Sequence, residues 1–172
     1  MTDINPRIYV ADLAAYNAGK LHGVWIDATD DLDDMWEQVR TMLAASPEAF
    51  AEEHAIHDYE GFGDARIEEY QSLETVQEIA AFIAEFPEIG GALISHFCGD
   101  LEDARRAADE NYCGEHKSIA DYAQELTEET SEIPEHLAYY IDYEAMGRDM
   151  ELNGDIFTIE TGYEQVHIFY NH

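Results

Sequence analysis

Acidic side chains are the residues of this chain with the clearest chemical consequence. The 172 residues include 39 Asp and Glu, 8 Lys and Arg and 8 His, which gives a formal net charge of −31. The acids are spread evenly, since residues 1–62, 63–110 and 111–172 hold 13, 12 and 14 of them. A body with this charge repels nucleic acid and anionic membranes. The composition therefore predicts a basic protein surface as the partner.

The few clusters that resemble metal sites lack the required ligand order. Residues 27–36 are dense in acid, but they have neither the turn glycine nor the ligand spacing of an EF-hand. We interpret them as the acidic N-terminus of a helix. His54 and His57 lie three residues apart without a third ligand, and Cys113 with His116 forms only an isolated C-x-x-H pair. No metal site is predicted.

Catalytic and cofactor motifs are also incomplete. Gly61 and Gly63 begin a G-x-G pattern, but Arg66 occupies the position of the third glycine, and no phosphate-loop lysine is present. With 39 acids, some carboxylates must lie close together in any fold, so their presence gives no support to a glycosidase. An enzyme built on a carboxylate pair would need a pocket and strongly perturbed pKa values. We predict no catalytic residue, no cofactor and no enzymatic activity.

The chain has enough apolar residues to form a folded core. Hydrophobic residues make up 46% of it and aromatic residues 12%, whereas disordered chains combine high charge with low hydrophobicity. The two cysteines fit a reducing compartment. The first ten residues lack the basic and apolar regions of a signal peptide, and no apolar run approaches the length of a membrane span. We therefore expect a cytoplasmic protein.

Periodicity places the acids on an α+β framework. Runs of β-branched and aromatic residues predict strands, and apolar residues at i, i+3, i+4 and i+7 predict helices. The expected strands cover 7–14, 22–28, 55–59, 156–161 and 166–170. The expected helices cover 31–45, 72–86, 87–97, 100–112, 118–128 and 135–152, with a polar link at 127–131. The order of elements predicts three small subdomains, at 1–62, 63–110 and 111–172.

On three of these helices the acids repeat along one face. Glu74, Glu78 and Glu85 fall within roughly 40° of one another at about 100° per residue. A second stripe comprises Asp121, Glu125, Glu128 and Glu129, and a third comprises Glu135, Asp142 and Asp149. Basic residues four positions away, which stabilise ordinary exposed helices, are nearly absent. Because unpaired like charges cost stability, their retention predicts a use for the electric field.

The number of acids corresponds to a length of duplex DNA. DNA carries one charge per ~1.7 Å of axis, so the net charge of −31 would cover roughly 53 Å, or about 15 base pairs. A compact globule of 172 residues has a radius of gyration of only ~16 Å. A match therefore requires an elongated body with its subdomains in a row. The alternatives are halophilic acidity, plain solubility, and an acidic adaptor or chaperone for a basic nucleic-acid-binding protein.

Three segments of the chain resemble the ArdA family of antirestriction proteins. They are PRIYVADLAAYNAGKLHGVWIDA at 6–28, EEHAIHDYEGF at 52–62 and PEHLAYYIDYEAMGRDMELNGDIF at 134–157. The similarity extends from near the N-terminus to the end of the chain. The third segment is the most distinctive, and the helical middle is the least.

The resemblance implies a DNA mimic that occupies the DNA-binding groove of Type I restriction–modification enzymes, where specificity and methylase subunits meet DNA. It implies an elongated, non-enzymatic homodimer without cofactor, joined through its C-terminal domain, in the cytoplasm of a bacterial host. The stripe acids would stand in for phosphates. The family's antirestriction motif, near the dimer contact, would fall on Leu137, Tyr139, Tyr140, Ile141, Tyr143 and Met146. Core packing is the competing interpretation and is favoured for Leu137 and Ile141.

Overall fold

The computed structural model of the chain describes residues 5–171. Eight helices and six strands lie in this range, and the chain divides into two compact units between Leu101 and Glu102. Each unit contains a three-stranded antiparallel sheet with helices packed beside it. The predicted α+β class is confirmed.

The N-terminal unit contains three strands and four helices. In chain order they are β1 (Arg7–Asp12), α1 (Leu13–Asn17), β2 (Gly23–Asp27), α2 (Leu32–Ala44), β3 (His54–Glu60), α3 (Leu73–Glu85) and α4 (Gly90–His96). The first strand lies in the middle of the sheet, in the order β2-β1-β3. Both outer strands are antiparallel to β1 and therefore run parallel to each other, so the connection from β2 to β3, which includes α2, crosses from one edge of the sheet to the other.

The core of the N-terminal unit lies between this sheet and α2. Ile8, Val10 and Ile26 are fully buried on one face of the sheet. From α2, Met35 and Val39 are buried, as expected for residues four apart on one helical face. α3 packs against α2 and α4, and its predicted apolar residues Leu73, Val76, Ala80 and Ile83 are buried. The apolar period of the sequence therefore identified the buried faces of these helices.

Two glycines at the start of α4 lie close to neighbouring backbone. A helix over 87–97 was expected, but α4 begins at Gly90. A Cβ atom on Gly91 would lie 2.7 Å from the carbonyl oxygen of Phe62, and one on Gly90 would lie 3.1 Å from the Cα of Ile83. The paired glycines therefore allow α4 to pack closely against the backbone.

The C-terminal unit contains the remaining elements. They are α5 (Leu101–Glu110), which begins at the boundary, β4 (Tyr112–His116), α6 (Ile119–Thr130), a 3-10 helix (Glu135–Tyr140), α7 (Tyr143–Leu152), β5 (Ile156–Gly162) and β6 (Gln165–Tyr170). The last strand lies in the middle of the sheet, in the order β4-β6-β5. α6 and α7 pack together, and a Cβ atom on Gly147 would lie 2.8 Å from Cγ2 of Ile119.

Both faces of the C-terminal sheet are buried. One face contributes Ile156, Val166 and Ile168 to a cluster with Tyr122 of α6, and burial raises the pKa of the Tyr122 phenol. Successive strand residues point to opposite faces. On the other face, the rings of Phe157 and Phe169 stack with centroids 4.9 Å apart.

A hydrogen-bonded histidine lies in this second face. The ring of His167 is buried, its Nδ1 lies 2.6 Å from the Tyr112 hydroxyl, and its Nε2 lies 3.1 Å from the Thr161 hydroxyl. Both ring nitrogens therefore have a partner, as the burial of a polar ring requires.

Several predicted boundaries were wrong. The strand expected over 7–14 ends at Asp12, because the Asp12 carboxylate accepts a hydrogen bond from the Ala15 amide and caps α1. The polar link expected at 127–131 is mostly the end of α6, which continues to Thr130. The sequence also gave no indication of β4, which pairs with the distant strand β6.

The largest error concerns the helix expected over 135–152. It is a 3-10 helix from Glu135 to Tyr140, followed by a break and then by α7. The Asp142 side chain accepts a hydrogen bond from the Ala145 amide at 3.0 Å, so Asp142 caps a new helix rather than continuing an old one.

No helix within residues 5–171 has the length and apolar character needed to cross a bilayer. The division into three subdomains at 62/63 and 110/111, and their arrangement in a row, stay predictions.

Candidate anionic interaction surface

Almost every acid of the described chain points toward solvent. Among residues 5–171, Asp12 is the one Asp or Glu that is buried. The ten acids predicted to stand in for phosphates are all exposed: Glu74, Glu78, Glu85, Asp121, Glu125, Glu128, Glu129, Glu135, Asp142 and Asp149. Both units therefore present carboxylates to a partner.

The α3 stripe lies on one regular helix. Ser72 caps this helix by accepting a hydrogen bond from the Thr75 amide at 3.2 Å. Glu74, Glu78 and Glu85 are exposed on the side opposite the buried apolar residues. Eleven residues of helix advance about 16 Å, so three charges occupy a length in which one strand of DNA carries about five phosphates. The stripe alone is less charged than DNA.

The α6 stripe also lies on one helix, capped by Ser118, whose hydroxyl accepts from the Asp121 amide at 3.1 Å. Two of its acids have local partners. Glu125 lies 3.2 Å from Nδ1 of His116, and Glu128 accepts a hydrogen bond from Gln124 at 2.9 Å. Neither partner is a Lys or Arg, so the carboxylates keep most of their field.

The third predicted stripe is not a single helical face. Glu135 lies on the 3-10 helix, Asp142 caps α7, and Asp149 lies on α7 with Arg148 3.9 Å away. A 3-10 helix turns every ~3.0 residues rather than every ~3.6, so a seven-residue spacing across the break does not align the side chains. Each of these acids is exposed, but their side chains do not share one helical face.

The cations are mostly used in local ion pairs. Arg7 pairs with Glu60, and Lys20 lies 2.6 Å from Glu48. In α5, Arg106 lies 3.0 Å from Asp103 and 3.4 Å from Glu102, and Arg105 lies 3.9 Å from Asp109. The acids in these pairs, Glu48, Glu60, Glu102, Asp103 and Asp109, are not members of the predicted α3 and α6 stripes.

The expected antirestriction motif lies within residues 137–146, which we call the motif segment. Part of this segment is more exposed than core packing allows. Leu137 is 46% exposed, Tyr139 96% and Tyr140 84%. Core packing, favoured for Leu137 and Ile141, is wrong for Leu137, and Ile141 is only half-buried. Tyr143 and Met146 are half-buried at the start of α7, where the Met146 sulfur lies 3.3 Å from the Thr127 hydroxyl of α6. The segment therefore presents large apolar rings to solvent.

The histidines and cysteines singled out in the sequence occupy separate surroundings. His54 packs edge-on against Trp36, with ring centroids 5.5 Å apart, and burial lowers its pKa. His57 packs edge-on against Tyr16 at 4.6 Å and lies 3.6 Å from Glu69. In the C-terminal unit, the ring of His116 lies 3.2 Å from the Cys113 carbonyl oxygen, not from its thiol. Packing and hydrogen bonding therefore explain the positions of these three histidine rings.

The structure also contains a groove that the sequence did not indicate. It lies between β2 and the outer side of α2, has a volume of about 670 Å³, and is lined by Asp30, Asp34 and Glu37 together with apolar residues. The acids were interpreted only as part of a charged helix N-terminus. Their usable signal in the sequence was the spacing of Asp34 and Glu37, which are three residues apart and therefore share one face of α2.

The sequence of the chain matches one family model, described as Antirestriction protein (ArdA), over residues 8–165. This match spans both compact units and includes the exposed stripes of α3 and α6 and the motif segment. No curated protein matches the chain.

Proposed function

Because the chain belongs to the ArdA family of antirestriction proteins, we propose that it inhibits restriction as a DNA mimic. In this proposal it occupies the DNA-binding groove of a Type I restriction–modification enzyme and blocks restriction and also modification. Its carboxylates take the place of phosphates against the Lys and Arg of that groove. The proposed inhibition works by occupancy, so it needs no bond-making step, metal or cofactor.

The observation that carries this proposal is the outward placement of the acids. Of the acids in residues 5–171 only Asp12 is buried, and the ten acids of the three predicted stripes are all exposed. A protein that needed acids only for solubility would gain stability from interspersed opposite charges. The large excess of exposed carboxylates over Lys and Arg supports a partner of opposite charge.

A single stripe does not reproduce the charge density of DNA. The α3 stripe has roughly 60% of the charge of one DNA strand over the same length. A mimic must therefore present several elements to the enzyme together, which fits acids on α2, α3, α6 and α7 alike. No single carboxylate is expected to be decisive, because a potential summed over many charges decreases gradually as charges are removed.

We also propose that the motif segment forms the homodimer contact. Leu137, Tyr139 and Tyr140 are exposed on one short 3-10 helix. Contiguous exposed apolar rings mark protein interfaces, and Tyr is enriched at the centre of such interfaces. A dimer would double the length of anionic surface, to about 30 base pairs' worth of charge.

Competition with DNA tests the proposed mechanism. Purified protein is titrated into a complex of a Type I methylase with labelled DNA at 50 mM and 200 mM salt. Displacement of DNA at low salt, weakened at high salt, is expected because both ligands bind through the same cations. DNA that stays bound under excess protein at low salt would contradict mimicry and would favour the acidic adaptor or chaperone.

The dimer contact has a separate test. Replacing Tyr139 and Tyr140 together by Ser is expected to weaken self-association at least tenfold in sedimentation velocity while leaving the thermal transition unchanged, because both rings are exposed. Tyr163→Ser is the matched control, since its ring is 91% exposed outside the segment. Equal association of the double variant and the control would exclude the segment as the contact.

A further inference from the structure

The groove between β2 and α2 combines an apolar interior with a carboxylate opening. Met42 is buried and Val24 half-buried on its inner side, whereas Asp34 and Glu37 are exposed at its outer side. The volume of about 670 Å³ is far larger than the space that a single water molecule occupies. This lining suits a ligand that has an apolar stem and a positively charged end.

The carboxylates of the groove are not neutralised by the protein. No ion pair within residues 5–171 involves Asp30, Asp34 or Glu37. The amide of Gln38 lies 3.4 Å from the Asp30 carboxylate, at the outer limit of a hydrogen bond. Arg40, the cation of the same helix, forms no ion pair among the described residues. The groove is therefore an anionic cleft without an internal counter-charge.

A buried carboxyl group lies on the strand that pairs with β2. The amide of Asp12 donates to the carbonyl of His22 at 2.9 Å, which places these residues opposite each other on β1 and β2. Opposite residues of antiparallel strands share a face, and His22 lines the groove. Asp12 is 0% exposed, and its Oδ2 has no hydrogen-bond partner within residues 5–171. Asp12 and His22 therefore lie on the same face of the sheet, and the Asp12 carboxyl group is buried there.

The edge strand supplies backbone acceptors at the same place. Two backbone hydrogen bonds of 2.9 Å join β1 and β2: the Asp12 amide donates to the His22 carbonyl, and the Ala28 amide donates to the Pro6 carbonyl. The backbone N–H and C=O groups of even-numbered β2 residues therefore point toward β1. In an antiparallel ladder the N–H and C=O groups of the residues in between point away from the paired strand. Gly23, which lines the groove, therefore presents its carbonyl at the free edge of the sheet.

We propose that this groove receives an arginine side chain from the DNA-binding surface of the partner enzyme, an inference that rests on the proposed function. The guanidinium group is a planar fork of five donors that matches carboxylate and carbonyl acceptors. Its three-carbon stem packs along apolar surface while the charge stays near water. Arginines that normally contact phosphates or guanine edges are abundant in DNA-binding grooves.

A bare divalent cation fits the groove less well. Within residues 5–171, Asp30, Asp34 and Glu37 do not bring three ligand atoms close enough to coordinate one ion. Carboxylates spread along a cleft instead suit an extended donor. A lysine offers only a compact point charge, so it uses fewer of the available acceptors than arginine does.

Filling the groove without changing its charge separates local recognition from the general field. Thr41 lines the groove and is exposed on α2, so Thr41→Trp is expected to fold and to occupy the space. The variant should displace DNA from the methylase at least tenfold less effectively than the parent. Thr75→Trp on α3, a charge-neutral change outside the groove, is the control.

Neutralising the carboxylates gives a second comparison. Asp34→Asn with Glu37→Gln removes two charges at the groove, and Glu52→Gln with Glu53→Gln removes two exposed charges of the same unit outside it. The groove pair should lose at least tenfold more inhibition than the control pair. Equal losses, together with full activity of Thr41→Trp, would overturn the arginine site while leaving DNA mimicry intact. Failure of the parent protein to displace DNA would instead overturn the proposed function.

Direct binding provides a readout that needs no enzyme. N-acetyl-arginine amide is titrated into the isotope-labelled protein and amide shifts are followed by NMR. Saturable shifts at Gly23, Thr41 and Ala45 are expected, with none from the uncharged isostere N-acetyl-citrulline amide. The shifts should vanish in the variant with Asp34→Asn and Glu37→Gln. Shifts of equal size along α3 and α6, or equal shifts with citrulline, would contradict a specific site.

Discussion

Each of the two units has a three-stranded sheet, and the two units have similar net charges. They nevertheless expose different apolar surfaces. The N-terminal unit has its most exposed large apolar residues, Leu21, Phe50 and Tyr70, in three different connecting segments. The C-terminal unit also exposes Leu152 and Tyr163 at separate places, but it holds Leu137, Tyr139 and Tyr140 on one short helix, where a partner can cover all three together.

The sheets differ in the same sense. The N-terminal sheet buries Ile8 and Val10 on one face and leaves Trp25 on the other face 37% exposed, with the Arg7 guanidinium 4.6 Å from its ring centroid. In the C-terminal sheet the consecutive residues Ile168 and Phe169 are both fully buried, so both faces are covered. Net charge therefore does not distinguish the units. Their apolar surfaces do, which supports a general role for the acids and a local role for the motif segment.

The largest expected effects come from the two cores. Phe62→Ala in the N-terminal unit and Phe169→Ala in the C-terminal unit should each lower the free energy of unfolding by about 3–5 kcal/mol, because both rings are at most 1% exposed. Urea denaturation measures the change. Phe50→Ala is the control, since that ring is 94% exposed and should change stability little. A small effect of Phe169→Ala alone would show that the doubly buried sheet repacks more easily than the N-terminal core.

Close glycine contacts give the next comparison. Gly91→Ala and Gly147→Ala should each cost about 1–3 kcal/mol, partly offset by better helix propensity. The larger loss is expected for Gly91, because its added Cβ would meet the Phe62 carbonyl oxygen, whereas at Gly147 it would first meet the Ile119 side chain. Thermal denaturation of both variants ranks them. The reverse order would mean that α6 and α7 are held more rigidly than α4.

Helix caps should contribute similarly in the two units. Ser72→Ala and Ser118→Ala each remove a hydroxyl that accepts a hydrogen bond from a first-turn amide, with an expected loss of about 1 kcal/mol. Asp31→Ala is the matched control, since Asp31 precedes α2 without a side-chain cap bond. A loss for Asp31→Ala equal to that of the serines would assign the effect to helix propensity rather than capping.

The smallest expected effect is a pH dependence confined to the N-terminal unit. Burial lowers the pKa of His54 from its usual 6.5, so the unfolded chain binds this proton more readily than the folded one. The contribution to stability is complete above pH 6.5 and decreases as the pH falls toward the lower folded value. His54→Gln should reduce this decrease, as followed by denaturation between pH 7.5 and 5.5.

His136→Gln is the control for this measurement, because its ring is exposed on the 3-10 helix. An identical pH profile for His54→Gln and the parent would show that other groups cause the dependence.

Local sequence signals determined much of the framework. The helices expected over 72–86 and 118–128 begin one residue later, at Leu73 and Ile119, and the apolar period identified the buried face of α3. The same period did not distinguish Trp36, 36% exposed, from its buried neighbours on α2. It also missed Met42, which is 5% exposed and lines the groove. A period gives the average direction of a helical face, but the neighbouring strand decides which residues it covers.

The break before α7 shows two local signals in competition. The spacing of Glu135, Asp142 and Asp149 fits one continuous helix, yet Asp142 is also a strong capping residue. In the structure Asp142 caps α7, so the acids of the third stripe do not lie on one helical face. Sequence similarity identified the family in spite of this error, because it depends on residue order rather than on helix continuity.

The sequence by itself determined the class of fold, the negative charge of the whole chain and its family. Only the tertiary structure decided that Leu137 is exposed, that β4 pairs with β6, and that Asp30, Asp34 and Glu37 line a groove with β2. Periodicity and capping depend on residues within a few positions of one another. Exposure, strand pairing and grooves depend on contacts between residues far apart in the chain, and local spacing does not specify them.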